Sequence, residues 1–364
     1  HGSGSRHEAW HESAEDPGSE HDPDIVHPGL LSRERSESIC AQCHLQNNAA
    51  ANIRGRRLTG FQPGQKLAEH RAYFVLESPD PSMTVVGHVG QLHQSRCYTQ
   101  TKTLTCTTCH DPHRTIPKAE ARTWYRDKCL DCHQVGGCGL PVTDAGRRRN
   151  SDDCATCHMP RTSTEIPHVA STHHRIGIHP AESPEVTAPG DTRLVPLYDL
   201  SHLPPLDLER CRGLAYRQLA SKQTDSRSVA GFRRLGLESL EAAFAGGLRD
   251  AELLAALADL LQQSDRARAA QLSRSALALD ESLLPQDRVN ALAILSGTLL
   301  VRGRNAEAIP ILERLVTLHR SAEAWLQLGQ CRAATGDSAG ALAAAEKAVQ
   351  IGPQRAGIHA LLAD

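Results

Sequence analysis

Apolar positions are distributed very unevenly along this chain. From Leu206 to Asp364, Leu and Ala recur at i, i+3, i+4 and i+7 in successive runs, each closed within a few positions by Gly or Asp. That is the period of a helix with one buried stripe, and the short interruptions predict antiparallel neighbours, so residues 206–364 read as an all-α domain. Residues 1–180 have few such stripes and are rich in His, Cys, Arg, Pro and Gly. They predict a loop-rich segment unable to bury much of a side-chain core by itself. Between the two, Pro184, Pro189, Pro196, Pro204 and Pro205 crowd residues 181–205, a density that blocks helix and ladder hydrogen bonds and predicts a linker or extended strap.

The helical stretch also repeats. Ala322, Trp325, Leu328, Gly329, Gly336, Ala341, Ala345, Ala348 and Pro353 fall at offsets of a helix–turn–helix unit whose period is about 34 residues. Leu292, Leu295, Gly303, Ala308, Leu312 and Leu315 form a weaker copy, and Leu254, Leu257, Ala258, Leu261, Ala270 and Leu277 a third. Residues 206–245 hold a degenerate fourth. Small residues such as Gly329 and Ala341 let paired helices approach, while the leucines fill the contact between them. On these positions the stretch resembles the tetratricopeptide repeats, which implies a solenoid of helical hairpins with an extended concave surface for protein partners.

Composition narrows the remaining half. At 364 residues the chain is too long for one small domain, and its net charge of -2, from 40 Lys+Arg against 42 Asp+Glu, points to neither a nucleic-acid nor an anionic-membrane partner. No apolar run approaches the roughly 20 residues of a membrane span. Aromatic residues make up only 3%, which is low for a globular protein. What departs from ordinary usage is 20 histidines and 12 cysteines, of which 17 and 10 precede residue 180. The first half therefore uses thiols and imidazoles for something.

Their spacing says what. Four times the chain spells CxxCH: Cys40, Cys43 and His44; Cys106, Cys109 and His110; Cys129, Cys132 and His133; Cys154, Cys157 and His158. This is the attachment signature of c-type haem. Two thiols one helical turn apart can add across the two vinyl groups of one porphyrin, and the adjacent imidazole then serves as axial ligand to the iron. One copy could be a zinc or redox CxxC with a chance histidine; a zinc site does not explain why His follows all four pairs. Of the other cysteines, Cys97 and Cys138 lie among the motifs and could meet in a disulfide, or remain apart. Cys211 and Cys331 fall on predicted helix faces as small buried residues.

The surplus histidines exceed the number of second axial positions, which fits bis-His iron: low-spin, six-coordinate and suited to electron transfer. His113 follows His110 too closely to reach the far side of the same haem and is expected on a neighbouring one. His93 is the next candidate, with His88 as competitor. His174 or His173 comes third, and His168 is a further option.

With these residues in view, the first half resembles the multihaem cytochromes c that include the tetrahaem electron carriers of nitrifying bacteria, the octahaem nitrite and tetrathionate reductases, and hydroxylamine oxidoreductase. The resemblance rests on CHDPH at Cys109 to His113, on CHMP at Cys157 to Pro160, and on the opening HGSGSRH. In that family the string CxxCHGPGSxH is frequent, so His1 would be the proximal ligand of a fifth haem whose cysteines precede residue 1, and His7 a distal ligand to another. The chain opens without an initiator methionine or a leader pattern and is read here as beginning inside a longer protein.

The resemblance implies a mainly α protein: a haem-packed, loop-rich multihaem cytochrome c domain over 1–180, a Pro-rich linker over 181–205, and an all-α tetratricopeptide-repeat solenoid over 206–364. The expected function is electron transfer through closely spaced bis-His haems, with redox partner proteins docking on either domain, in the periplasm or outside the cell. Two other readings are open. One is a multihaem oxidoreductase acting on a small nitrogen or sulfur oxyanion, although all four motifs end in His and no spacing marks Tyr73, Tyr98 or Tyr125 as a catalytic cross-link. The other is a repeat scaffold whose haems are structural.

Overall fold

In the computed structural model, residues 4–13, 22–77, 87–134, 137–163, 170–179, 193–279 and 283–353 are described, and the chain divides into two compact units, His1–His202 and Leu203–Asp364. The helices of the first unit are α1 (Gly4–Glu12), α2 (Arg33–His44), α3 (His88–His93), α4 (Arg96–Gln100), α5 (Cys106–Cys109), α6 (Lys118–His133), α7 (Ala145–Arg149) and α8 (Cys154–His158). Most are one or two turns long, because Gly, Pro and Asp interrupt the chain before a stripe can build.

The first unit nevertheless has a small apolar core, which the apolar pattern did not lead us to expect. Strands β1 (Ala49–Asn52) and β2 (Arg71–Leu76) pair antiparallel, with Ala51 opposite Ala72 and Ala49 opposite Phe74. Two further short strands, β3 (Arg161–Ser163) and β4 (Ala170–Thr172), pair with each other, and β5 (Leu194–Pro196) joins β2 to complete a three-stranded sheet in the order β1-β2-β5. Ala41 and Leu45 from the end of α2, together with Phe61, Leu67, Tyr73 and Val89, form one buried cluster beside Ala50. Strand β5 lies within the stretch expected to be a linker, and the division between units falls after His202 rather than at residues 180 and 205. Pro196 is compatible with pairing because it ends an edge strand, where a missing N–H costs little. Pro184 and Pro189 lie outside the described residues.

The second unit is built of eight helices among its described residues: α9 (Pro205–Ser221), α10 (Ser226–Ala245), α11 (Ala251–Leu261), α12 (Arg266–Ala278), α13 (Pro285–Val301), α14 (Asn305–Leu318), α15 (Ala322–Ala334) and α16 (Ser338–Ile351). They pack as consecutive hairpins, α9 with α10 through α15 with α16, and each of the four sequence repeats corresponds to one hairpin. The starts are fixed by side-chain caps: Asp225, Asp250, Asp265, Ser321 and Asp337 each accept a backbone N–H of the first turn. Gly303 and Gly336 take left-handed φ of 67° and 85° in the tight turns after α13 and α15, where a side chain would be strained.

Leu240, Leu253, Leu257, Leu292, Leu312 and Leu328 are completely or almost completely buried. Helix contact is closest in the first hairpin, where a Cβ on Gly213 would stand 2.6 Å from Leu240 Cγ and 3.0 Å from the Gly236 carbonyl. Arg217 on α9 donates to Asp259 on α11 at 2.6 Å and to Asp287 of α13 at 2.7 Å, so one half-buried guanidinium ties the first helices of three hairpins together. Cys211 and Cys331 are fully buried, as small residues on helix faces should be. This unit is an all-α repeat of helical hairpins. No described helix of the chain is long and apolar enough to cross a membrane.

Candidate functional site

Each CxxCH sequence lies on a helical turn. The first forms the end of α2, the second is α5 followed by His110, the third ends α6, and the fourth is α8. Residues i and i+3 share a face of a helix, so both thiols of every pair point the same way. Local capping makes the short turns form. Thr105 and Thr108 make a reciprocal capping box on α5, and Asp153 accepts the Ala155 N–H at 3.0 Å and the Thr156 hydroxyl at 2.7 Å on α8.

The fold brings the four motifs together in pairs. Cys40 of the first and Cys106 of the second lie within reach of each other; the interaction with Cys106 lowers the Cys40 thiol to about 7, and the same interaction with burial pushes Cys106 up. Cys129 of the third and Cys154 of the fourth interact likewise, and burial first, then the charge of Cys154, pushes Cys129 up to about 12. Trp124 on α6 donates to the Cys109 carbonyl at 3.2 Å, which links the third motif to the second. Arg126 on α6 and Arg147 on α7 both bind Asp152, at 2.7 and 2.5 Å, and set the loop that leads into α8. Cys97 and Cys138 are free thiols, not bridged to each other.

The imidazoles gather around these pairs. His44 and His88 approach at 3.3 Å between their Nδ1 atoms, the His88 ring lies 4.4 Å from that of His174, and His174 stacks at 6.2 Å on His110. Two motif histidines and two surplus ones thus form one cluster. Burial, with the neighbouring imidazoles second, pushes His88 and His110 down and takes His174 to about 4, so all three are neutral near pH 7. The strand-to-loop segment 170–179 is held in place by Gln91, which accepts the His174 N–H at 2.8 Å, and by Ser95, whose Oγ accepts the Ile176 N–H at 2.8 Å. His174 Nδ1 bonds the Thr172 carbonyl at 2.9 Å and His158 Nδ1 bonds the Gly177 carbonyl at 3.0 Å. In both, Nδ1 must carry the proton, which leaves the Nε2 lone pair available. His173 and His179 stand 5.1 Å apart beside His158, whose carbonyl is 3.2 Å from His179 Nε2.

Other expected ligands are placed differently. His93 directs Nε2 at Glu37 Oε1, 2.8 Å away, and stacks on Tyr98, whose hydroxyl donates to the other Glu37 oxygen at 2.8 Å. Its ring nitrogen is engaged in a buried polar cluster, and His88, the competitor in the sequence, is the histidine that meets the first motif. His113 is exposed on the turn that Asp111 forms by accepting its N–H at 2.9 Å. His133 is exposed. His7 lies beside His11 and Asp22, and His1 and His168 lie outside the described residues. Sequence spacing gave no sign of Glu37, because a carboxylate in the middle of α2 reads as solvent-facing until Tyr98 and His93 fold over it.

No family model and no curated protein matches the chain. Among solved structures, the chain is similar to MamA from Desulfovibrio magneticus RS-1, at 22% identity over 40% of this chain and 79% of that one, with a TM-score of 0.33. It is also similar to the Cut9–Hcn1 hetero-tetramer of APC/C, at 19% identity over 42% of this chain and 29% of that one, with a TM-score of 0.34.

Proposed function

We propose that the first unit holds four covalent c-type haems and passes electrons among them, and that the repeat unit offers the surface on which a redox partner protein docks. The observation that carries the reading is the assembly of the motifs: four thiol pairs, each on one helical turn, with Cys40 against Cys106, Cys129 against Cys154, and spare imidazoles around them. The donor set fits the group. Thiols on one face suit two thioether bonds to one porphyrin, and His158, with Nδ1 tied to Gly177, presents the tautomer that iron requires.

Cys40 and Cys43, Cys106 and Cys109, Cys129 and Cys132, and Cys154 and Cys157 would hold the four haems, with His44, His110, His133 and His158 as proximal ligands. His88 and His174 are the surplus histidines that meet the first two motifs, and they replace His93 in our assignment. Bound haem supplies reversible one-electron chemistry. The protein's part is to hold the imidazoles in place and keep the motifs adjacent. Covalent attachment of haem to CxxCH takes place outside the cytoplasmic membrane, which supports a location in the periplasm or outside the cell.

A second reading is a protein-docking scaffold whose haems are structural; the four-hairpin repeat favours it. The experiment that tests the first is the mass of the denatured full chain, expected to carry four covalent haems. Potentiometric titration then separates the readings, because a carrier gives rapid reversible reduction of all haems and a structural set does not. A chain without covalent haem overturns both.

A further inference from the structure

We propose that His7, His11 and Asp22 form a site for one divalent transition-metal ion, separate from the four CxxCH motifs. His7 and His11 are four residues apart on α1, hence on one face, and their rings meet edge-on at 4.5 Å. Asp22 comes from a different part of the chain and contacts His7 Nδ1 through Oδ2. One donor atom from each of the three residues lies within 4.8 Å of the others. An ion with bonds of about 2.0–2.2 Å to imidazole nitrogen and carboxylate oxygen reaches all three after small side-chain rotations.

The carboxylate is held for this. Its Oδ1 accepts the Asp24 backbone N–H at 2.7 Å, Asp24 pairs with Arg6 on α1 at 3.2 Å, and the Asp22 side chain is only 8% exposed. These contacts fix Oδ2 toward the two imidazoles, the outer-shell arrangement that orients a metal ligand. His7 and His11 remain accessible, so an ion can enter and keep water in its remaining positions. Two imidazoles and one carboxylate suit a borderline ion such as Zn²⁺ or Co²⁺, and binding takes the place of the hydrogen bond between His7 and Asp22. The site uses His7 as a metal ligand on α1 and thereby removes it from the haem ligands that the HGSGSRH string implies. It does not depend on the haem reading.

The test is calorimetric titration of the full chain, first stripped with chelator, with ZnCl₂, beside His11→Ala and Asp22→Asn. His11 is exposed and alanine favours the helix, so the fold survives the change. The expected result is one Zn²⁺ fewer in each variant, or that ion bound at least about tenfold more weakly. Thiol-bound zinc is common to all three proteins and cancels. Equal stoichiometry and affinity in wild type and variants overturn the proposal. So does a His7→Ala variant whose haem spectrum shows the loss of an axial ligand, since His7 would then belong to iron.

Discussion

Helix α11 buries ten of its eleven side chains, whereas α6, with sixteen residues and a full CxxCH, buries none. The first belongs to a unit that stabilises itself by apolar packing between hairpins. The second belongs to a unit whose apolar core is a small cluster of Ala41, Leu45, Ala50, Phe61, Leu67, Tyr73 and Val89, which contains none of its cysteines or histidines. A segment that folds by side-chain burial announces itself by period; one whose cysteines and histidines recur at fixed spacing announces itself by motif.

That contrast can be broken from either side. The largest effect is expected from Cys129→Ala with Cys132→Ala. The covalent haem count should fall from four to three and the first unit should loosen, while denaturation of the repeat unit, followed by helical circular dichroism, stays where it was. The reverse experiment is Arg217→Ala. It leaves Asp259 and Asp287 facing each other without their guanidinium and should cost the repeat unit about 3–5 kcal/mol with no loss of haem. A change in haem spectrum in that variant would mean that the two units are not independent.

Smaller effects sharpen the picture. Asp265→Ala removes the cap that accepts the Arg268 N–H at 2.9 Å and should lower the repeat unit's stability by about 1 kcal/mol in chemical denaturation. The smallest is an acid effect on the first unit. Arg147 first, then Arg126, holds the Asp152 carboxyl down to about 2 against an ordinary 3.8. Its contribution to stability is therefore present above about pH 4 and lost as pH falls toward 2. Asp152→Asn should flatten that part of an acid titration of the first unit's haem absorption and leave the rest unchanged.

Much of the second unit was legible because its signals are local. Asp250, Asp265 and Asp337 precede apolar runs as caps, and Gly303 and Gly336 close them, so four hairpins could be drawn before any contact was known. The sheet of the first unit was not legible. Ala49, Ala50 and Ala51 are helix-prone and show no alternation, and they form a strand because Arg71–Leu76 pairs with them across an intervening loop. The motifs were fully legible, but their partners were not. The sequence favoured His93 over His88, and only the burial of Glu37 beside Tyr98 shows that His93 is engaged elsewhere. The clustering of His7 and His11 was available from their spacing of four, yet Asp22 joins them only through the fold.

EPR of the oxidised, haem-loaded full-length protein, quantified against its haem count, reads whether histidine fills both axial positions of the proposed haems. Low-spin signals alone, with one haem for each CxxCH motif, are expected. A stoichiometric high-spin signal that shifts on adding nitrite, hydroxylamine or cyanide would contradict the proposal, because an iron with an open position belongs to an enzyme rather than a carrier.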